Sequence, residues 1–199
     1  MIKWQKNPVF FQQERRRDCF LGKAGGAMEE IRIIPFAPEY AEARGKLHWQ
    51  VWEETYRGLI PDAYLDTITV EKRIAQARQE TLSSFLLFVG EELAGFASCA
   101  DPARDFTTVP DASEIVAFYL LLKYQGRGLA GALMRHCLAF CTRPDVVLYV
   151  LRGNDRALGF YRHMGFELTG HVQPDHTGYG TLWDLEMVLH REKKERETR

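Results

Sequence analysis

The stretch Glu114–Ala130, EIVAFYLLLKYQGRGLA, lies at the centre of the predicted fold. Residues 115–122 form an apolar run without Gly or Pro, which is typical of a strand buried on both faces. A glycine-rich turn, 125–130, follows at once and leads into a helical pattern of apolar residues at four-residue intervals. Glycine relaxes the steric limits on φ, and a helix N-terminus presents free N–H groups and the positive end of its dipole. The order strand, glycine turn, helix therefore predicts a site for phosphate groups.

The turn does not match two common nucleotide-binding motifs. Ala130 and Gly131 stand at the wrong places for the G-x-G-x-x-G dinucleotide fingerprint, and no acidic residue lies at the expected distance after the next strand. The Gly-Lys-Ser/Thr of the Walker motif is absent as well. A turn that merely connects two elements is the alternative interpretation.

Two sequence blocks resemble the GNAT superfamily of acetyl-CoA-dependent N-acetyltransferases. The first, Gln125–Ala130 (QGRGLA), is similar to the family signature Q/R-x-x-G-x-G/A. The second, Asn154–Phe166 (NDRALGFYRHMGF), is similar to the segment N-x-x-A-x-x-F-Y-x-x-x-G-F. The blocks occur in the family's order and at its separation, and the resemblance extends from about Ile31 to Leu189.

This resemblance implies which residues bind acetyl-CoA, the expected co-substrate. The backbone of Phe118 and Leu120 would pair with the pantetheine amides, where the two central strands of the family splay apart. The N–H groups of the glycine turn would bind the pyrophosphate, and Asn154 would contact the pantetheine arm or cap its own helix. The predicted cofactor-binding residues are Phe118, Tyr119, Leu120, Gln125, Gly126, Arg127, Gly128, Leu129, Ala130 and Asn154.

The resemblance also implies two catalytic residues. Tyr161 would protonate the departing thiolate, since a tyrosine with a pKa near 10 is protonated at neutral pH; the alternative is an aromatic residue of the core. Glu114 would take a proton from the amine, which is mostly protonated at pH 7; the alternative is a surface charge. The next strand carries Tyr149 where other members have a Glu, so the base stays open. Weaker candidates are Asp62, Glu53 and Glu54.

The run W-x-x-x-Y-x-G-L-x-P, Trp52 to Pro61, resembles the first helical pair of many bacterial GNAT proteins, whose helices line the acceptor site. We therefore predict Tyr56 and Glu53 as substrate-binding residues. The alternative is that Tyr56, like Trp52, packs beneath the sheet. A group of acidic residues in this region favours a cationic acceptor: Glu53, Glu54, Asp62 and Asp66.

Hydrophobic periodicity predicts the remaining elements: a helix over 38–56, shorter helix to about 79, and a hairpin of 85–89 with 93–99. Strand 114–122, helix 126–142 and strand 146–151 form a right-handed βαβ unit, followed by a helix over 154–164. A closing hairpin, 166–172 with 181–189, spans a long loop that holds His171 and His176. We predict an α+β fold of three layers, with helices flanking a mixed, mostly antiparallel sheet.

Length and composition suit one globular domain: the chain has 199 residues, of which 46% are hydrophobic and 27% charged. We predict a GNAT domain over 28–190, a disordered extension over 1–27 and a charged tail over 191–199. The net charge of −1 gives no field for nucleic acid. Without a signal peptide or a bilayer-length apolar run, a cytoplasmic protein with no membrane partner is expected. The four cysteines and six histidines show no ligand spacing, so no metal is expected.

We predict an enzyme that moves an acetyl group from acetyl-CoA to a primary amine of a small molecule or peptide, by direct attack in a ternary complex. One alternative is a non-catalytic acyl-CoA-binding sensor or interaction domain. Another is an enzyme that acts on protein N-termini or lysines. The acceptor, and the choice between a monomer and a homodimer, stay open.

Overall fold

The structure is a computed structural model that describes residues 18–24 and 27–191. Eight strands form one sheet in the order β1-β2-β3-β4-β5-β6-β8-β7. The strands are β1 (Asp18–Ala24), β2 (Ala27–Pro35), β3 (Ser83–Val89), β4 (Glu92–Ala100), β5 (Ala112–Leu120), β6 (Asp145–Leu151), β7 (Glu167–Thr177) and β8 (Gly180–His190). The helices are α1 (Ala41–Tyr56), α2 (Asp62–Leu65), α3 (Val70–Arg78), α4 (Leu129–Phe140) and α5 (Asp155–His163). No helix of the described part of the chain has the length and apolar character needed to cross a membrane.

Among the described strands, every neighbouring pair is antiparallel except β5 and β6. These two strands are joined through α4, which confirms the predicted central βαβ unit. Parallel pairing covers only Ala112–Ile115 with Asp145–Leu148. Beyond these residues both strands continue, but they pair on their outer sides, β5 with β4 and β6 with β8. The predicted mixed, mostly antiparallel sheet is confirmed.

Helices cover both faces of this sheet. Phe118 and Tyr119 are neighbours in β5 and therefore point to opposite faces. The Tyr119 ring lies 5.0 Å from the ring of His48 in α1, whereas the Phe118 ring lies 5.7 Å from that of Phe160 in α5. The core between these layers includes the fully buried side chains of Leu86, Phe96, Leu133, Met134 and Leu148.

Three parts of the secondary structure differ from the prediction. Asp18–Ala24, within the segment expected to be disordered, forms β1 and pairs antiparallel with β2; residues 1–17 and 192–199 lie outside the described residues. The expected long loop at 173–180 is mostly strand, because β7 runs to Thr177 and turns at Gly178 and Tyr179. β7 is the edge strand of the sheet, where polar residues and Pro174 are tolerated. Helix α4 begins three residues later than predicted, because Gly128 before it has a φ of +78°.

Candidate active site

A cavity of about 600 Å³ lies where β5 and β6 diverge. Its walls come from the C-terminal end of α1, the second half of β5, the glycine turn, the end of β6 and the start of α5. In the second half of β5, the backbone edge that faces β6 has no strand partner among the described residues. The cavity is therefore lined by backbone groups that an extended, amide-containing ligand can pair with, as an added strand would.

The glycine turn closes one end of the cavity. Gly126 and Gly128 have φ of +75° and +78°, and a Cβ atom at either position would meet no protein atom within 4 Å. The turn therefore needs glycine for its backbone conformation and leaves open space at the N-terminus of α4. The N-cap residue, Gly128, has no side chain that could cap this N-terminus, so within the described residues its first N–H groups are available to an anion. These are the features expected of a pyrophosphate site.

Most of the predicted cofactor-binding residues lie at this cavity. Those that line it are Phe118, Tyr119, Leu120, Gln125, Gly126, Ala130 and Asn154. Asn154 also caps α5, since its Oδ1 accepts a hydrogen bond of 3.2 Å from the Ala157 N–H. Arg127, Gly128 and Leu129 are not among the lining residues: Leu129 is buried in the core, and the Arg127 guanidinium lies over the Tyr124 ring at 5.4 Å.

Tyr161 lines the cavity and is otherwise enclosed by aromatic rings, at 5.5 Å from Phe160, 6.1 Å from Phe166 and 6.3 Å from Phe118. Burial raises its pKa above the ordinary value of 10, with smaller contributions from Tyr119 and Cys137. The hydroxyl is therefore protonated at neutral pH and can donate a proton to a group in the cavity.

Glu114 lies elsewhere. Its side chain is fully buried, does not line the cavity, and both of its carboxylate oxygens are bound by Arg104. The Arg104 Nε lies 3.0 and 2.9 Å from the two oxygens, and its backbone N–H donates to Oε2 at 3.1 Å. A carboxylate held in this way is not positioned to contact a ligand in the cavity. The role of Glu114 as the base stays a prediction that this geometry does not favour.

On the acceptor side, Tyr56 lines the cavity and Glu53 does not. Burial raises the pKa of Tyr56 well above its ordinary value. Three acidic side chains of the α1–α2 region share one cation, Arg57, which lies 2.5 Å from Glu53, 3.5 Å from Asp62 and 2.9 Å from Asp66. This group keeps a net negative charge, and the preference for a cationic acceptor stays a prediction.

Glu186 in β8 is a carboxylate that the sequence analysis missed. It is fully buried and accepts hydrogen bonds from the hydroxyls of Tyr149 (2.7 Å), Thr107 (2.7 Å), Thr169 (2.8 Å) and Thr108, and from the Thr108 N–H (2.9 Å). Burial acts to raise its pKa, but these donors outweigh it and lower the pKa to about 2. Glu186 thus fixes Tyr149, which lines the cavity, and is too weak a base to take a proton from an amine.

Asp184, two residues before Glu186, was missed as well and differs from it in environment. Asp184 is not itself a lining residue of the cavity, but it pairs with Leu151, which is one. Within the described residues its carboxylate accepts no hydrogen bond. Burial, and secondarily the negative charge of Asp175, raise its pKa from 3.8 to about 6. Its charge in turn contributes to the raised pKa of Tyr56, although burial is the main cause. The alternation Asp184, Glu186 within an apolar strand was the signal that could have identified both residues.

Comparison with known proteins supports an assignment to a family. The sequence profile described as the Acetyltransferase (GNAT) family matches residues 44–166. The chain belongs to the GNAT acetyltransferase family. A protein named as a probable N-acetyltransferase in Mycobacterium tuberculosis is 24% identical over 164 residues, which is 75% of this chain and 92% of that protein.

Solved structures share the fold. The PaiA N-acetyltransferase of Thermoplasma acidophilum, solved in complex with coenzyme A, aligns with a TM-score of 0.59 at 19% identity over 80% of this chain and 98% of that one. An acetyltransferase of Thermus thermophilus aligns with a TM-score of 0.57 at 19% identity, over 80% of this chain and 96% of that one. The predictions of a GNAT fold and of an acetyltransferase enzyme that uses acetyl-CoA are confirmed.

Proposed function

We propose that this GNAT acetyltransferase moves the acetyl group of acetyl-CoA to a primary amine of a small molecule or peptide by direct attack in a ternary complex. The observation that carries the proposal is the cavity between β5 and β6, which joins an unpaired strand edge to a glycine turn at a helix N-terminus. Acetyl-CoA would supply the thioester, the pantetheine amides and the pyrophosphate that these features suit. We keep a cytoplasmic location as a prediction.

We propose Tyr161 as the acid of the reaction. Transfer forms a C–N bond and breaks the C–S bond, so the departing thiolate needs a proton and the attacking amine must lose one. The raised pKa of Tyr161 keeps its proton on the hydroxyl at neutral pH, and the surrounding aromatic rings fix the orientation of its side chain. Both properties favour a donor that acts when negative charge develops on sulfur.

We propose Asp184 as the base, in place of Glu114. A general base is most effective when its pKa lies near the working pH. Glu114 is held by Arg104 and Glu186 by five donors, whereas the Asp184 carboxylate has no hydrogen bond within the described residues and a pKa of about 6. It is mostly ionised at pH 7 and able to take the proton, directly or through a water molecule.

The substitution Tyr161→Phe tests the enzymatic function. It keeps the ring contacts and removes the hydroxyl, so we expect kcat to fall at least about tenfold at neutral pH while the Kd of CoA stays within about threefold. Steady-state acetyl transfer and calorimetric titration with CoA measure the two quantities. Tyr124→Phe is the matched control, because it removes a buried hydroxyl, bound to Glu92 at 2.7 Å, that does not line the cavity.

The same measurements separate the enzyme from a non-catalytic acyl-CoA sensor. A sensor would bind CoA without acetylating any member of a broad panel of amines, antibiotics and peptides. An unchanged kcat in Tyr161→Phe, with a good acceptor, would remove the hydroxyl from the chemistry and leave Tyr161 as a core residue.

A further inference from the structure

Three buried nitrogen atoms without a hydrogen-bond partner lie around the Trp52 side chain, between α1 and α3. They are Trp52 Nε1, Arg73 Nε and His48 Nε2, and none of them has a partner among the described residues. The Arg73 Cζ lies 4.1 Å from the centre of the Trp52 ring, and the centres of the His48 and Trp52 rings are 6.0 Å apart. Buried polar groups are nearly always paired in folded proteins, so such a cluster indicates a ligand or water with oxygen acceptors.

Arg73 differs from its neighbour Arg44 in its lack of a carboxylate partner. The Arg44 Nη2 lies 2.5 Å from Glu80 Oε2 and 3.1 Å from Ser98 Oγ, so its charge is balanced inside the protein. Arg73 donates to Gln76 Oε1 at 2.8 Å, and within the described residues it forms no ion pair. A guanidinium stays charged at all physiological pH values, and burying it without a counter-charge is unfavourable. Arg73 is therefore suited to an anion that comes from outside the chain.

The cluster adjoins the cavity on the side of the proposed acceptor. The Trp52 ring centre is 4.8 Å from that of Tyr56, and the His48 ring centre is 5.0 Å from that of Tyr119. Tyr56 and Tyr119 both line the cavity. Arg73, Trp52 and His48 do not themselves line the cavity; the cluster reaches it through the rings of these two tyrosines.

We propose that Arg73, together with Trp52 Nε1 and His48, binds the carboxylate of an acceptor that is a free amino acid or a close analogue. The inference rests on the proposed function, because it names the acceptor class for the same cavity. The planar fork of a guanidinium matches a carboxylate with two parallel hydrogen bonds. Asp184 and Asp175 lie on the β7–β8 side of the site and provide the opposite charge for the ammonium end of a zwitterion.

The charges in the cluster favour a carboxylate over a neutral peptide carbonyl. Burial and the nearby cations Arg73 and Arg44 lower the pKa of His48 to about 2, so His48 is neutral. The subsite thus offers one unit of positive charge, from Arg73, to match one carboxylate. A peptide acceptor would place an amide oxygen there and leave the charge of Arg73 unbalanced.

Matched acceptors test the inference. Acetyl transfer by the full chain is measured with the protein L-amino acids, with the corresponding carboxamides, and with dipeptides that carry the same first residue. We expect kcat/KM for the best amino acid to exceed that for its carboxamide by at least about tenfold. In Arg73→Gln the amino acid should lose at least about tenfold in kcat/KM, chiefly through KM, while the carboxamide changes by less than about threefold.

Arg78→Gln is the control, because it removes the same charge from an exposed position of the same helix; both acceptors should keep their rates. Equal rates for amino acid and carboxamide in the wild type would overturn the inference. An equal loss of kcat/KM for both acceptors in Arg73→Gln would also overturn it, because it would indicate a structural role. A preference for the dipeptide that persists in Arg73→Gln would overturn it as well.

A binding measurement keeps the two proposals separable. Calorimetric titration of the CoA-loaded protein with amino acids detects the subsite even if no product forms. Binding that is lost in Arg73→Gln and kept in Arg78→Gln, without turnover, would refute the proposed enzyme and support the subsite. Turnover of simple amines with no binding of any amino acid would support the proposed enzyme and refute the subsite.

Discussion

Asp184→Asn should make the protein more stable and less active at the same time. The Asp184 pKa of about 6, against an ordinary value of 3.8, means that the native environment disfavours the ionised carboxylate. At about 1.4 kcal/mol per pKa unit, this difference corresponds to about 3 kcal/mol at pH 7. Because Asp184 is partly exposed, solvent screening reduces the expected gain to about 1–2 kcal/mol. Asparagine has nearly the same shape and does not ionise, so it should recover that amount.

The gain should depend on pH in a defined direction. Between pH 3.8 and 6 the native state binds the Asp184 proton more tightly than the unfolded state does, so stability falls as pH rises through this range. As the pH falls below 3.8, Asp184 becomes protonated in both states, so the stabilities of wild type and Asp184→Asn should converge. Above pH 6 the variant should be more stable by the full amount.

Urea unfolding at pH 4 and pH 7.5 measures the stability, and the pH profile of kcat/KM measures the role in catalysis. If Asp184 is the base, Asp184→Asn should lower kcat/KM by at least about 100-fold at neutral pH. Asp175→Asn should move the acidic limb of the profile to lower pH, because Asp175 helps to raise the pKa of Asp184. The acceptor's own titration is common to all variants and cancels in this comparison.

Asp105→Asn, at an exposed loop position, is the control and should leave stability and rate unchanged. The reasoning would be refuted by an Asp184→Asn variant that is less stable than the wild type at pH 7.5. A variant with unchanged kcat/KM would remove Asp184 from catalysis while leaving the argument on stability intact.

Three further substitutions test the glycine turn, the buried ion pair and the role of Glu114. Gly128→Glu introduces bulk and negative charge at a φ of +78°, and should abolish CoA binding in calorimetry while the protein still unfolds cooperatively. Gly90→Glu is its control: at a φ of +57° in the β3–β4 turn it carries the same kind of backbone strain and charge, and it should bind CoA normally. Arg104→Leu leaves the Glu114 carboxylate buried without its partner and should lower the free energy of unfolding in urea by about 3–5 kcal/mol. Glu114→Gln should keep kcat within about threefold, and a loss of 100-fold or more would restore Glu114 as the base.

The local signals in the sequence were sufficient for the centre of the fold. The apolar run of β5, the glycine turn and the periodicity of α4 each report a single element, and adjacent elements of this kind have few ways to assemble. For the same reason most of the predicted cofactor residues line one cavity. The splay of β5 and β6, expected only from the resemblance, appears as the loss of pairing after Ile115 and Leu148.

The parts that could not be predicted depend on contacts between distant segments. Glu114 looked available because its partner, Arg104, lies in a loop with no periodic pattern. The second half of β7, 173–177, looked like a loop because an edge strand need not alternate between apolar and polar residues. The different roles of Asp184 and Glu186 arise from which hydroxyls fold over each carboxylate, and single-sequence patterns carry no information on that.

The short parallel pairing of β5 and β6 divides the sheet into two parts with few hydrogen bonds between them. Four residue pairs hold β1–β5 to the three strands on the other side, against seven pairs between β6 and β8. A pantetheine arm that lies in the gap would connect the two strands, because its amides would make the hydrogen bonds that the diverging strands do not make with each other. The co-substrate would then fill the gap in the sheet between β5 and β6. The two halves would then be held together most firmly while the pantetheine arm is bound.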